Sequence, residues 1–112
     1  TITISKHKSN VNMLNSRRML LLIFAEKCVH CRTFLPHWES MSIKISETYP
    51  GLIFGKVNCN TDLEICEFLK INKVPSILFL EEGLVKDILQ VHADHKSLVK
   101  FIEKNITPNS DL

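Results

Sequence analysis

The sequence predicts an α/β domain built on a central mixed β-sheet with helices on both faces. Three observations point to it. Two short runs, Met19–Ala25 and Ile77–Leu80, are apolar at every position, as strands covered on both faces must be. Two longer segments, near 29–49 and 94–106, carry apolar residues every three or four positions, the helical period. Strand-like and helix-like segments alternate along the chain, an order that layers helices over one sheet.

Thr1 to Ser5 alternates Thr-Ile-Thr-Ile and reads as a short edge strand, and Asn10 to Ser16 as a short helix. Met19–Ala25 is the central strand. From Val29 to Tyr49, the positions Phe34, Trp38, Met41, Ile45 and Tyr49 mark a long amphipathic helix, with Pro36 inside it predicting a kink. Tyr49-Pro50-Gly51 is turn punctuation ahead of a buried strand, Leu52 to Val57. Asp62 is placed to cap a short helix reaching about Lys70 and burying Leu63, Cys66 and Leu69. After the strand Ile77–Leu80, Glu81-Glu82-Gly83 turns into a fifth strand, Val85 to Val91. Asp94 then caps a closing helix with Leu98, Val99, Ile102 and Ile106 inward. Residues 1–112 are expected as a single domain, with 1–8 and 107–112 as loosely ordered ends.

Composition narrows the function. A chain of 112 residues, 45% apolar and 23% charged, supports one proper core. A net charge of +2 argues against a nucleic-acid or anionic-membrane partner, and the one basic run, Lys6 to Lys8, reads as a solvated arm. The seven apolar residues Met19–Ala25 fall far short of the ~20 a membrane span needs. The chain opens on Thr1 with neither an initiator Met nor a signal segment, as a mature or trimmed form would. Four cysteines, at 28, 31, 59 and 66, are too few to build a disulfide scaffold and point to chemistry instead.

Cys28-Val29-His30-Cys31 stands where a buried strand ends and a helix begins. A helix start offers unpaired N–H groups and the positive end of the macrodipole, both favouring a thiolate. The thiolate is the reactive form of cysteine, and such a setting lowers its pKa from about 8.5 toward about 3.5–7.5. Cys28 is therefore expected to attack, and Cys31, one turn on and facing inward, to resolve the mixed disulfide. The charge of His30 between them is expected to stabilise the Cys28 thiolate. No metal and no cofactor are implied, because the spacing of the two cysteine pairs fits no common zinc module.

These features, taken together, resemble the thioredoxin-like domains of the protein disulfide isomerase family across nearly the whole chain. The resemblance is carried by Leu20–Ala25 before the dithiol and Arg32 after it, by Pro36 with Trp38-Glu39, and by Lys56-Val57-Asn58-Cys59 followed by Cys66. Val74-Pro75-Ser76 is similar to the family's cis-proline loop, and Gly83 to its hairpin. It implies a thioredoxin fold, a cis Val74–Pro75 bond, and a protein substrate held by Lys27, Val29, the backbone of Val74, and Pro75. Cys59 and Cys66 are expected either as a structural disulfide or as two buried thiols.

The departures matter too. Lys27 replaces the usual tryptophan and Val29 the usual glycine. Leu22 stands where the family buries a carboxylate that moves the Cys31 proton, and no arginine follows Arg32. Slower substrate release is expected. His7, His37, His92 and His95 read as surface residues and Trp38 as core, while the sequon Asn105-Ile106-Thr107 is disfavoured by Pro108. The functional expectation is a protein thiol-disulfide oxidoreductase of the secretory pathway or endoplasmic reticulum lumen. Its partners would be protein substrates, through transient mixed disulfides, and a redox partner protein. The alternatives are a cytoplasmic thioredoxin-like reductant and a low-turnover, redox-capable binding module of a larger assembly.

Overall fold

The structure is a computed structural model that describes residues 1–90 and 93–106. Its elements run β1 (Ile2–Thr3), a 3-10 turn (Val11–Asn15), β2 (Arg18–Phe24), α1 (Val29–Thr48), β3 (Ile53–Asn58), α2 (Leu63–Phe68), β4 (Ser76–Glu81), β5 (Leu84–Leu89) and α3 (His95–Ile106). The five strands form one sheet in the order β1-β3-β2-β4-β5. β2 pairs parallel with β3 and antiparallel with β4, so the sheet is mixed.

Strand alternation divides the core in two. Leu20, Leu22 and Phe24 of β2, with Ile77 and Phe79 of β4, face α1 and α3 and meet Phe34, Trp38, Leu98 and Ile102. Met19, Leu21 and Ile23, with Leu78 and Leu80, face the other way toward Leu14, Ile65 and Cys66. Every residue of β2 past Arg18 is buried, which is why the run carries no polar residue. α1 buries Cys31, Phe34, Trp38, Met41 and Ile45, one stripe at helical spacing.

Four expectations change. Residues 1–8 are no loose end. Ile2 and Thr3 pair with Gly55 and Lys56 of β3, Ile4 is fully buried, and Lys6 pairs with Glu64. Leu63 is 58% exposed, and Ile65 takes the inward place instead. In a helix of six residues, a shift of part of a turn settles which apolar side chain goes in.

Asp62 precedes α2 without a side-chain capping bond. Its carboxylate instead accepts from Ser5 Oγ (3.2 Å), the Lys6 N–H (3.0 Å) and Thr61 Oγ1 (3.0 Å). These donors hold its pKa low against the opposing push of burial. Finally, β5 ends at Leu89. Val91, His92, Thr107 and Pro108, and with them the expected 107–112 end, lie outside the described residues.

At the far end, Asp94 does cap α3. Its Oδ1 accepts from the Ser97 N–H at 2.8 Å, and Ser97 Oγ accepts from the Asp94 N–H at 3.0 Å. Asp87 of β5 then receives Lys104 and Asn105, both at 3.0 Å, fastening the helix to the sheet edge. Gly83 turns the β4–β5 hairpin with φ +86°, and a side chain there would also strike Asn15.

Candidate functional site

β2 and β3 run parallel and end side by side, and the site is built where they stop. β2 leaves the core at Phe24, and Ala25–Cys28 makes a turn closed by the Cys28 N–H on the Ala25 carbonyl at 3.0 Å. Cys28 is the N-cap of α1, and its Sγ accepts the Cys31 N–H at 3.3 Å. Cysteine thus occupies the place where a serine or aspartate would cap a helix.

The two thiols are unlike. Cys28 is partly exposed while Cys31 is buried at 1% exposure among Leu22, Phe24 and Phe34. The Cys28 thiol is held below its ordinary pKa, first by a hydrogen bond from the Cys31 thiol, against some opposing desolvation. The backbone N–H groups of Cys31 and His30 and the charge of Arg32 add to the lowering. Burial pushes the Cys31 thiol up to about 11, and the hydrogen bond it gives Cys28 pushes the same way.

His30 acts on Cys28 through its backbone N–H, and the largest charge contribution comes from Arg32. Lys27 is exposed, and its N–H donates to Asn60 Oδ1 at 3.2 Å. Val29 is 64% exposed beside the motif.

The Val74–Pro75 bond is cis. Ser76 lies opposite Ile23 in the antiparallel β2–β4 pair, so the same register carries Val74 and Pro75 to the end of β2, where the dithiol begins. Cys28 and Val74 both pack on the core that faces α1. The structure therefore brings Lys27, Cys28, Val29, His30, Cys31, Val74 and Pro75 to one end of the sheet. Beside them lies a cavity of about 480 Å³, bordered by His30, His37 and His95 over Phe34 and Met41. Among the described residues, no group of three or more His, Cys, Asp or Glu is placed to hold a metal ion.

Cys59 and Cys66 form a disulfide with Cα atoms 5.8 Å apart, tying the end of β3 to α2. Two residues that sequence reasoning passed over stand beside Cys59. Asn58 Oδ1 accepts the Glu26 N–H at 3.3 Å, and Asn60 Oδ1 accepts that of Lys27. Their only sequence signal is a pair of asparagines at a strand end, where turns collect them.

The Thioredoxin family profile matches residues 1–104. The chain belongs to the thioredoxin family. It is 25% identical over 104 residues to a Drosophila melanogaster thioredoxin domain-containing protein 5 homolog, covering 93% of this chain and 23% of that one. It is 21% identical over 108 residues to bloodstream-specific protein 2 of Trypanosoma brucei brucei, covering 96% and 21%. The chain thus spans about a fifth of the length of these relatives. Among solved structures, human ERp44 superposes with a TM-score of 0.82 at 20% identity, covering 95% of this chain and 29% of that one. Plasmodium falciparum thioredoxin superposes at 0.73 with 25% identity, covering 93% and 98%.

Proposed function

We propose that this thioredoxin domain exchanges its Cys28–Cys31 dithiol with disulfides of other proteins. One observation carries the reading: an accessible thiol at a helix N-cap with its pKa lowered, one turn from a buried thiol raised to about 11. Cys28 Sγ, as thiolate, attacks one sulfur of a substrate disulfide, and the other substrate sulfur leaves as a thiolate. Cys31 then loses its proton and attacks Cys28 Sγ, forming the Cys28–Cys31 disulfide and releasing the second substrate thiol. Two electrons pass from the domain to the substrate. In reverse the same steps oxidise a substrate dithiol, and a redox partner protein resets the pair.

The backbone of Val74 pairs with an extended substrate segment, while Pro75, Lys27 and Val29 border it. Relatives named as disulfide isomerases of rice, fission yeast and Caenorhabditis elegans support a secretory compartment, and a thioredoxin of Chlamydia caviae supports the cytoplasm. The Cys59–Cys66 disulfide favours the oxidising lumen. A slow, retentive domain is the second reading, favoured by Leu22, fully buried in the same cluster as Cys31.

Reduction of insulin with a dithiol reductant tests turnover, and a Cys31→Ser variant tests the mechanism. Removing the resolving thiol should trap mixed disulfides at Cys28, seen as reductant-sensitive adducts on gels and by mass spectrometry. Insulin turnover at background, with no adducts, would overturn the oxidoreductase reading. Adducts formed with slow wild-type turnover would select the retentive one.

A further inference from the structure

The turn that carries Cys28 is held from outside itself. Its closing bond, from the Cys28 N–H to the Ala25 carbonyl, does not use the N–H groups of Glu26 and Lys27. Both are taken up at the end of β3 and just beyond it, by Asn58 Oδ1 at 3.3 Å and Asn60 Oδ1 at 3.2 Å. The Cys59 N–H donates to the Phe24 carbonyl at 2.8 Å, so the three consecutive residues 58–60 bind three of the four residues 24–27.

The accepting loop is itself fixed at several points. Asn58 Oδ1 also accepts the Asn60 N–H at 3.0 Å, and the Asn58 carbonyl accepts the N–H groups of Thr61 (3.2 Å) and Asp62 (2.8 Å). The Cys59–Cys66 bond closes the loop from Asn60 to Ile65, and Asp62 within it is bound to Ser5 and Lys6 of the N-terminal segment.

We propose that Asn58 and Asn60 are positioning residues for the Cys28–Cys31 dithiol, and that the Cys59–Cys66 disulfide fixes the loop from which Asn60 reaches the Cys28 turn. The inference deepens the oxidoreductase reading and rests on it. Its physical content is simple. The donors that stabilise a Cys28 thiolate are the His30 and Cys31 N–H groups and the Cys31 thiol. They serve it only while the cap residue stays in register with the first turn of α1. Ala25 is tied to both cysteines, since its carbonyl accepts the Cys28 backbone N–H and its own backbone bonds the Cys31 sulfur. A turn released at Glu26 and Lys27 lets Ala25 and Cys28 drift together, and the thiolate loses its donors. The second cysteine pair then acts on the first with no electron passing between them.

The experiment compares Asn60→Ala, Asn60→Asp and Asn58→Ala in the reduced active-site state with the Cys59–Cys66 bond intact. Three readouts apply: the pH profile of Cys28 alkylation by iodoacetamide, the Cys28–Cys31 reduction potential, and amide exchange at Glu26 and Lys27 by NMR. Asn60→Ala should shift the alkylation midpoint upward and slow the reaction near neutral pH on the order of threefold, the worth of one exposed hydrogen bond. The potential should fall, and exchange at Lys27 should quicken. Asn60→Asp keeps an acceptor and should restore slow exchange at Lys27, while its added negative charge by itself raises the alkylation midpoint. Asn58→Ala should exceed Asn60→Ala because Asn58 Oδ1 holds both Glu26 and Asn60. A folded Asn60→Ala protein with an unchanged midpoint and potential would overturn the proposal. If Asn60→Ala does not fold, an unprotected Lys27 amide in the unmodified protein would overturn it. Alkylation and exchange need no substrate, so this failure is distinct from a failure of insulin turnover.

Discussion

The two cysteine pairs occupy matching places in opposite states, one as free thiols and one as a disulfide. Each begins at the end of one of two adjacent parallel strands, β2 or β3, and finishes in the helix that follows. Cys28 is itself the cap of a 20-residue helix, one turn from its partner, and its sulfur sits on the N–H groups of that helix start. Cys59 comes four positions before α2 begins, joins Cys66 across the gap, and so presents no free thiol. The difference teaches that the strand end alone does not make a reactive cysteine. The register between strand end and helix start does, because it decides whether the thiol faces the free N–H groups.

The sharpest way to break this division is to remove one pair at a time. Cys28→Ala should abolish insulin reduction to the uncatalysed background, whereas the paired variant Cys59→Ala/Cys66→Ala should retain a measurable rate. Loss of turnover in the folded paired variant would show that the first pair cannot work without the second, and the division would fail.

The asymmetry within the first pair sets the next largest effect. With the Cys31 thiol raised to about 11, its thiolate at pH 8 amounts to roughly a thousandth, while Cys28 ionises below the ordinary thiol range. Brief alkylation at that pH should label Cys28 almost alone, and labelling of Cys31 should rise only as the pH approaches 11. Peptide mapping by mass spectrometry reads both, and equal labelling at pH 8 would remove the basis for their roles.

Leu22→Glu asks whether the buried end of that pair lacks a proton acceptor. Leu22 is fully buried in one cluster with Cys31. A carboxylate there, its own pKa raised by burial, can relay the Cys31 proton near neutral pH. Release of substrate from a preformed Cys28 mixed disulfide should quicken by about 10², the low end for general-base catalysis. Stopped-flow measurement of that release in both proteins decides it, and equal rates would show that Cys31 already has a route for its proton.

The second pair answers to stability instead. Closing a loop of about eight residues is worth about 2.5 kcal/mol by the chain-entropy relation. Urea unfolding of Cys59→Ala/Cys66→Ala should show a loss of that order, and no change in midpoint would make the bond ornamental to the fold.

How legible all this was in the sequence follows from how local each cause is. β2, β4 and α1 were readable because Met19–Phe24, Ile77–Leu80 and the stripe from Phe34 to Ile45 record burial at every turn or on both faces. The dithiol was readable because a cysteine at a strand-to-helix junction carries its own chemistry. Leu63 misled because two turns of helix leave the inward face undetermined. Asp62 misled because its partners, Ser5 and Lys6, lie more than fifty residues away in sequence. Asn58 and Asn60 were silent for the same reason, as acceptors for a turn 32 and 33 residues earlier.

The smallest expected effect separates two roles that one residue could play. His30 follows Val29 in the first turn of α1, and its backbone N–H is among the groups that lower the Cys28 pKa. His30→Ala removes the imidazole and keeps that N–H. His30→Pro removes both, and proline is tolerated in the first turn of a helix, so the fold should survive. A donor that favours the Cys28 thiolate favours the reduced pair, and losing it favours the disulfide. The reduction potential should therefore fall in both variants if the side chain acts, but only in His30→Pro if the backbone acts. The His30 N–H is among the groups that lower the Cys28 pKa, so His30→Pro should move the potential downward on the order of 30 mV, about a tenfold change in the equilibrium constant. His30→Ala should move it by less than half as much. Equal shifts in a glutathione titration of the two variants would return the role to the imidazole.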